Sequence, residues 1–294
     1  MSEGTSGRRP ETGPGSVLIT GCSSGIGYVA AHELADRGWW VFPTARQRSD
    51  VDRLKREGFR DALRLDLAVS ASIHSAVDAV LQRTGGRLDA LFNNAAYGQP
   101  GAVEDLSRNA LRYQFETNLF GTHELTTRAV AAMRAQGHGR IVQNSSVLGF
   151  AALPYRGAYV SSKFALEGLT DALRQELRGS GIHVSLIQPG PIESRFRENA
   201  WRAFQEHINP RRSAHAATYE AVAARLSGER TEATPFTLGP DAVAAKLVHA
   251  LESPHPRARY RVTLPTYVFE VLRRLLWTRA MDWVLLKATE SERR

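Results

Sequence analysis

The 294-residue chain has one cysteine, Cys22. No disulfide can form within it, and no cysteine-based metal site can be built. A reducing, cytoplasmic compartment is the simplest expectation for such a chain. Long hydrophobic runs are missing too: no stretch approaches the ~20 apolar residues of a membrane-spanning helix. Residues 1–14, rich in Gly, Ser, Thr, Glu and Arg, hold no apolar run, and are expected to form a disordered tail rather than a signal peptide or an anchor. No His, Asp and Glu cluster has metal-ligand spacing, so no metal is expected, and the nine histidines read as surface or core residues. No nucleic-acid-binding motif is present. The net charge of +8 comes from arginines scattered along the chain, which describes a solvated surface better than a footprint for nucleic acid.

What is present is alternation. Short apolar runs at Ser16–Thr20, Trp39–Ala45, Ala62–Leu67, Leu88–Asn93, Arg140–Ser145 and His183–Gln188 read as strands. Helical patterns fall between them at Tyr28–Arg37, Ser70–Thr84, Leu111–Ala135 and Ala158–Arg178. The strands show no clear period of two, as expected for strands buried on both faces. The pattern predicts an α/β fold, a doubly wound and mostly parallel sheet in one domain over residues 15–265. Within it, residues 191–235 read as an irregular insertion, the place for a substrate lid. Gly239-Pro240-Asp241 starts a further helix, and Arg259–Thr263 a last strand.

The first strand runs into Thr20-Gly21-Cys22-Ser23-Ser24-Gly25-Ile26-Gly27. Gly21 permits a tight turn, Gly25 a close approach of backbone to ligand, and Gly27 close packing of helix on sheet. A helix N-terminus offers free N–H groups and partial positive charge, which suits a pyrophosphate. The loop Gly21, Ser23, Ser24, Gly25, Ile26 and Gly27 is therefore a candidate dinucleotide site, although its G-x-x-x-G-x-G spacing differs from the general fingerprint. The second strand ends Thr44-Ala45-Arg46, with no carboxylate to accept from a ribose hydroxyl. Arg46 can grip a 2′-phosphate, with Ser23 adding a hydroxyl, so NADP(H) is expected in preference to NAD(H). Asp66 is placed either to accept from an adenine amino group or to cap a turn.

Tyr159 and Lys163 stand four apart at the start of a helical pattern, so they share a face. A free phenol, with a pKa of about 10, is a poor base at neutral pH. A positive charge about 4 Å away, at an effective dielectric near 20, favours phenolate by roughly 4 kcal/mol. The pair is thus a candidate acid/base for proton transfer coupled to hydride transfer.

Taken together, these motifs resemble the short-chain dehydrogenase/reductase family in its single-domain branch. The resemblance runs from Ser16 to Ser194. It rests on the glycine loop, on Asn93-Asn94-Ala95-Ala96 after the fourth strand (with Ala96 where the family usually has Gly), on Asn118 in Thr117-Asn118-Leu119-Phe120-Gly121, on Ser145-Ser146, on Tyr159 with Lys163, and on Pro189-Gly190 followed by Ile192 and Ser194. It implies the following roles. Ser146, thirteen positions before Tyr159, hydrogen-bonds the substrate oxygen. Tyr159 exchanges the proton, and Lys163 lowers the Tyr159 pKa and holds the nicotinamide ribose. Asn118 holds a water linking Lys163 to solvent. Asn93 and Ala95 border the cofactor, and Pro189, Gly190, Ile192 and Ser194 border its nicotinamide amide. It also implies a homodimer or homotetramer.

The sequence around Tyr159 and the stretch Arg259–Thr263 look like family branches acting on hydroxysteroids, retinoids and other lipophilic alcohols or carbonyl compounds. Leu148, Phe150, Leu153, Phe196, Trp201 and Phe204 are candidates for the pocket wall. Residues 266–294 read as an amphipathic helical extension. Its Tyr267–Lys287 stretch mixes Leu and Val with Arg273, Arg274, Arg279 and Lys287. It suits packing over the pocket or a subunit better than a membrane surface. The alternative to a carbonyl/alcohol oxidoreductase is a non-catalytic NADP-binding scaffold or sensor, against which the acid/base pair argues. An epimerase or dehydratase would need a larger domain after Ser194.

Overall fold

The computed structural model describes residues 13–228 and 236–290. Most of the expected tail and residues 229–235 of the expected lid lie outside the described residues. Seven strands form one sheet: β1 (Ser16–Ile19), β2 (Trp40–Ala45), β3 (Leu63–Arg64), β4 (Ala90–Asn93), β5 (Gly139–Asn144), β6 (Ile182–Gln188) and β7 (Arg259–Arg261). Their order is β3-β2-β1-β4-β5-β6-β7, and every pairing is parallel. This is the doubly wound Rossmann arrangement expected from the alternation of elements.

The helices of the sheet region are α1 (Gly25–Asp36), α2 (Arg48–Arg56), α3 (Ser70–Thr84), α4 (Arg108–Phe115), α5 (Gly121–Gln136) and α6 (Gly157–Glu176). They are followed by α7 (Phe196–His207), α8 (Ala216–Ser227), α9 (Asp241–Glu252), α10 (Leu264–Leu275) and α11 (Thr278–Ala288). The missing period of two in the strands has a direct cause. In β1, Val17 and Ile19 enter one core with α1 and α9, while Leu18 enters the other with α3 and α5. Likewise Ala90 and Phe92 of β4 face one core and Leu91 the other. Both pleat faces are dry, so both must be apolar.

Four expectations need correction. The pattern over Leu111–Ala135 is not one helix: a π-helical turn, Glu116–Phe120, separates α4 from α5. The 191–235 stretch is not irregular: it holds α7, a 3-10 turn at Pro210–Arg212 and α8. The C-terminal stretch is two helices, broken at Leu276–Trp277. Helix α2 was not expected from the sequence, because its nine residues bury only Val51 and Leu54.

Candidate active site

The chain order reverses between β1 and β4, and the strands' carboxyl ends there open a crevice, the general ligand position of such sheets. Every family-matched residue lies at these ends or on the helices that follow. The glycine loop leaves β1. Gly21 (φ +74) and Gly25 (φ +58) take the left-handed backbone that a side chain resists. A Cβ on Gly21 would sit 2.9 Å from the Ala95 Cα, and one on Gly27 would strike the Gly21 carbonyl. Thr20 locks the loop to β4, its hydroxyl accepting from the Asn94 and Ala95 amides at 2.9 Å each. Asn94 completes the clasp: its amide donates to the Thr20 carbonyl at 3.0 Å, and its Oδ1 accepts from Asn144 at 2.9 Å.

Asn94 was not among the candidate residues read from the sequence. Asn93 is buried and donates sideways to Thr126 at 2.8 Å, and its Oδ1 has no partner. Arg53 of α2 was also missed. It donates to the Ser23 carbonyl at 2.6 Å and lies 5.4 Å from the Tyr28 ring centroid. Arg46 stands exposed where β2 ends. Asp66 caps its own turn, accepting from Ala68 at 3.0 Å through Oδ1.

The crevice fits a dinucleotide. Helix α1 has no side-chain N-cap bond and no acidic residue in its first turn, so its leading N–H groups face the loop uncapped and can receive phosphate. Across from it, Ser194 comes close enough that a Cβ on Gly25 would lie 3.0 Å from the Ser194 Cβ. Pro189 accepts from the Val147 amide at 2.7 Å, and Ile192 joins the α1 side of the core. The segment after β6 therefore lies against the same loop.

Ser146 lies two residues past the end of β5, and its Oγ accepts from the Leu148 amide at 3.1 Å. Its hydroxyl also hydrogen-bonds Tyr159, one residue group on α6 facing another on the β5 loop. Lys163 is 2% exposed and its Nζ lies 5.7 Å from the Tyr159 ring centroid. The three groups are together. Ser145, the neighbour not chosen for the role, is buried with its hydroxyl unpartnered.

The electrostatics differ from the expectation. Burial pushes the Tyr159 phenol up to about 12, and the Ser146 hydroxyl pulls it down. One helical turn sets the Lys163 ammonium beside the Tyr159 ring, and it donates to the Asn144 carbonyl at 2.7 Å. Burial lowers Lys163 itself to about 8, opposed by Glu167. Asn118, in the π-helical turn, is 1% exposed. Its Oδ1 accepts from the Tyr97 amide at 3.2 Å, while its Nδ2 donates to the Tyr97 carbonyl at 2.9 Å and to Ser162 at 3.2 Å. It therefore clamps the loop after β4.

The apolar candidates divide. Phe196 opens α7 and meets Tyr159 edge-to-face at 5.3 Å, against Gly98. Leu148, Phe150 and Leu153 cluster with Tyr159, Val160 and the inner faces of α10 and α11 through Phe269, Leu272, Met281 and Leu285. Trp201 and Phe204 are not at Tyr159. They stack at 5.7 Å and build a small core with Ile208, Tyr219 and Val222.

The comparisons agree with this geometry. Residues 16–204 match the family model described as short chain dehydrogenase. The chain is 46% identical over 270 residues to "Uncharacterized oxidoreductase YbbO" of Escherichia coli K12, covering 92% of this chain and 93% of that one. It is 30% identical to the "NADPH-dependent 3-dehydrocapnine reductase" of Ornithobacterium rhinotracheale, over 92% and 95% of the two chains. It is 33% identical to human "17-beta-hydroxysteroid dehydrogenase type 1", over 84% and 77%. A solved short-chain dehydrogenase from Streptomyces avermitilis superposes with a TM-score of 0.73 at 27% identity, over 96% and 97%. One from Burkholderia phymatum in complex with NAD gives 0.72 at 25% identity, over 90% and 93%. The fold and crevice define a nicotinamide-dinucleotide oxidoreductase. The chain belongs to the short-chain dehydrogenase family, whose members act on CH–OH groups and their carbonyl counterparts.

Proposed function

We propose that this enzyme uses NADP(H) to interconvert a secondary alcohol and a ketone, or an alcohol and an aldehyde, on a lipophilic substrate, with Tyr159 as general acid/base. The observation that carries the reading is the hydrogen-bonded Ser146–Tyr159 pair with Lys163 buried against the phenol's ring, at the mouth of the glycine-loop crevice. The loop residues 21–27 and the α1 N-terminus would hold the pyrophosphate. Arg46, with the Ser23 hydroxyl, would hold the 2′-phosphate, and Pro189, Gly190, Ile192 and Ser194 the nicotinamide end. When bound there, the nicotinamide supplies or takes the hydride.

In the reducing direction Ser146 donates to the substrate oxygen and fixes it beside Tyr159. Tyr159 passes its phenolic proton to that oxygen as the carbonyl becomes an alcohol; oxidation reverses the transfer. A phenol held near 12 is protonated at neutral pH, the form that donates in the reducing direction. Lys163, ammonium below about 8, donates toward the ribose and supplies positive charge when the phenolate forms. The exposed Arg46 and the lack of a carboxylate at the end of β2 support NADP(H), as does the relative named NADPH-dependent. Phe196, Leu148, Phe150 and Leu153 line an apolar approach, and a relative named for a hydroxysteroid fits a lipophilic carbonyl.

The test is NADPH oxidation with a panel of hydrophobic ketones and aldehydes. Tyr159→Phe should lower kcat by about 10²–10⁴-fold, the usual worth of a general acid, while NADPH still binds. Binding of NADPH with no turnover of any panel member by the wild-type chain would replace this reading with the scaffold.

A further inference from the structure

Helices α10 and α11 bury one face each against the wall beside Tyr159. Their other faces are open. On α10, Leu264, Val268, Val271 and Leu275 are all exposed, and their spacing of four, three and four places them on one stripe. The break between the helices adds Trp277, 74% exposed, and α11 adds Trp283, 63% exposed. Around this apolar strip stand Arg273, Arg274, Arg279 and Lys287, all exposed. The acidic residues of the two helices are Glu270 and Asp282. Glu270 pairs with Arg261 and with Arg274, the latter at 2.8 Å, and Lys287 pairs with Glu290 at 3.1 Å, so the four cations of this face still outnumber its three carboxylates, Glu270, Asp282 and Glu290.

We infer that this face docks on an anionic phospholipid surface. Exposed tryptophans beside an apolar stripe suit the boundary between headgroups and acyl chains. The basic rim matches anionic headgroups. A second copy of the chain is a poorer occupant, because a two-fold axis through the strip would set the same basic rim against itself. No described helix is long and apolar enough to cross a membrane, so the contact is peripheral. It would bring the apolar approach to Tyr159 next to the phase in which lipophilic carbonyl compounds dissolve. The inference rests on the helices alone and survives or falls independently of the substrate.

Flotation of the full chain with phosphatidylcholine vesicles, with and without phosphatidylglycerol, decides it. The wild type should float with the mixed vesicles and not with the neutral ones. Its binding should weaken as salt is added, and its tryptophan emission should shift to the blue on binding. Trp277→Ser with Trp283→Ser should abolish flotation, and Arg274→Gln with Arg279→Gln should lower partitioning roughly tenfold or more. Both variants should keep the wild-type melting curve and turnover of a short, water-soluble carbonyl. Absence of flotation with mixed vesicles, salt-independent binding or undiminished binding by folded variants would overturn the inference. So would a wild type that fails to float but changes from dimer to monomer on loss of the two tryptophans, since the face would then be a subunit contact. If a variant fails to fold, the salt and lipid dependence of the wild type still decides.

Discussion

Lys163 is the residue on which sequence and structure disagree most usefully. Four-residue spacing put it on the same helix face as Tyr159, and there it is. The partner of the charge was not in the spacing: the four-carbon stem runs beside the ring and the ammonium donates to the Asn144 carbonyl. The consequence is a buried cation. Its pKa falls from 10.5 to about 8 on folding, so the folded state holds fewer protons than the unfolded one between those values. Stability should therefore rise with pH across that window and be lowest below it, by roughly 3 kcal/mol. Lys163→Met removes the titration. In urea melts without cofactor, the wild type should gain on this variant between pH 8 and pH 10.5; a constant difference would show that the ammonium is not desolvated. Asn94 and Arg53 were beyond sequence reading for another reason. They recognise backbone carbonyls and hydroxyls far along the chain, Asn94 and Thr20 being 74 residues apart, and no local pattern encodes such a contact. The glycines, Ser146 and Tyr159 were legible because their chemistry is tied to a strand end or a helix start.

The elements were legible where their pattern was long and both faces were buried, and misread where a helix bends or is half-exposed. The π-helical turn between α4 and α5 is a case of the first kind. Apolar periodicity runs through it, but Gly121 lies so close to the Leu67 carbonyl that a Cβ there would collide with it. The turn lets the chain pass β3's exit and aims Asn118 at Tyr97. Gly121→Ala should cost about 1–3 kcal/mol, the usual penalty of overpacking, and lower kcat with it, read from thermal melts and turnover. Helices α7 and α8 were hidden because they bury little, their apolar residues meeting each other and not the sheet. Phe196, at the head of α7, nevertheless covers the phenol. Phe196→Ala should raise KM for bulky apolar carbonyl compounds more than for small ones. It should also move the pH profile of kcat toward lower pH, since water reaching Tyr159 relieves the burial that holds the phenol near 12. An unmoved profile with a raised KM would leave Phe196 as a contact for substrate only.

At the scale of the whole molecule, cofactor and fold are coupled through one crevice that collects β1, β4, β5 and β6. A ligand bound only by the folded chain stabilises it by about 2.7 kcal/mol at a hundred times its Kd. For a chain of this size that is a rise in Tm of roughly 5 °C. On the proposed role of Arg46, NADPH should produce such a rise, and NADH at the same concentration a much smaller one, because the two differ by the 2′-phosphate. Loss of one charge-assisted hydrogen bond costs about 1.5–3 kcal/mol, or roughly ten- to a hundredfold in Kd. Arg46→Ala should then cut the NADPH-induced rise by more than half at unchanged concentration and leave the NADH-induced rise alone. Arg46 is exposed, so its contact is screened, and the gap between the two cofactors should narrow as salt is raised. Equal rises with both cofactors in the wild type would show that the basic end of β2 does not read the phosphate. The dinucleotide preference would then have to come from Arg53 or the glycine loop itself.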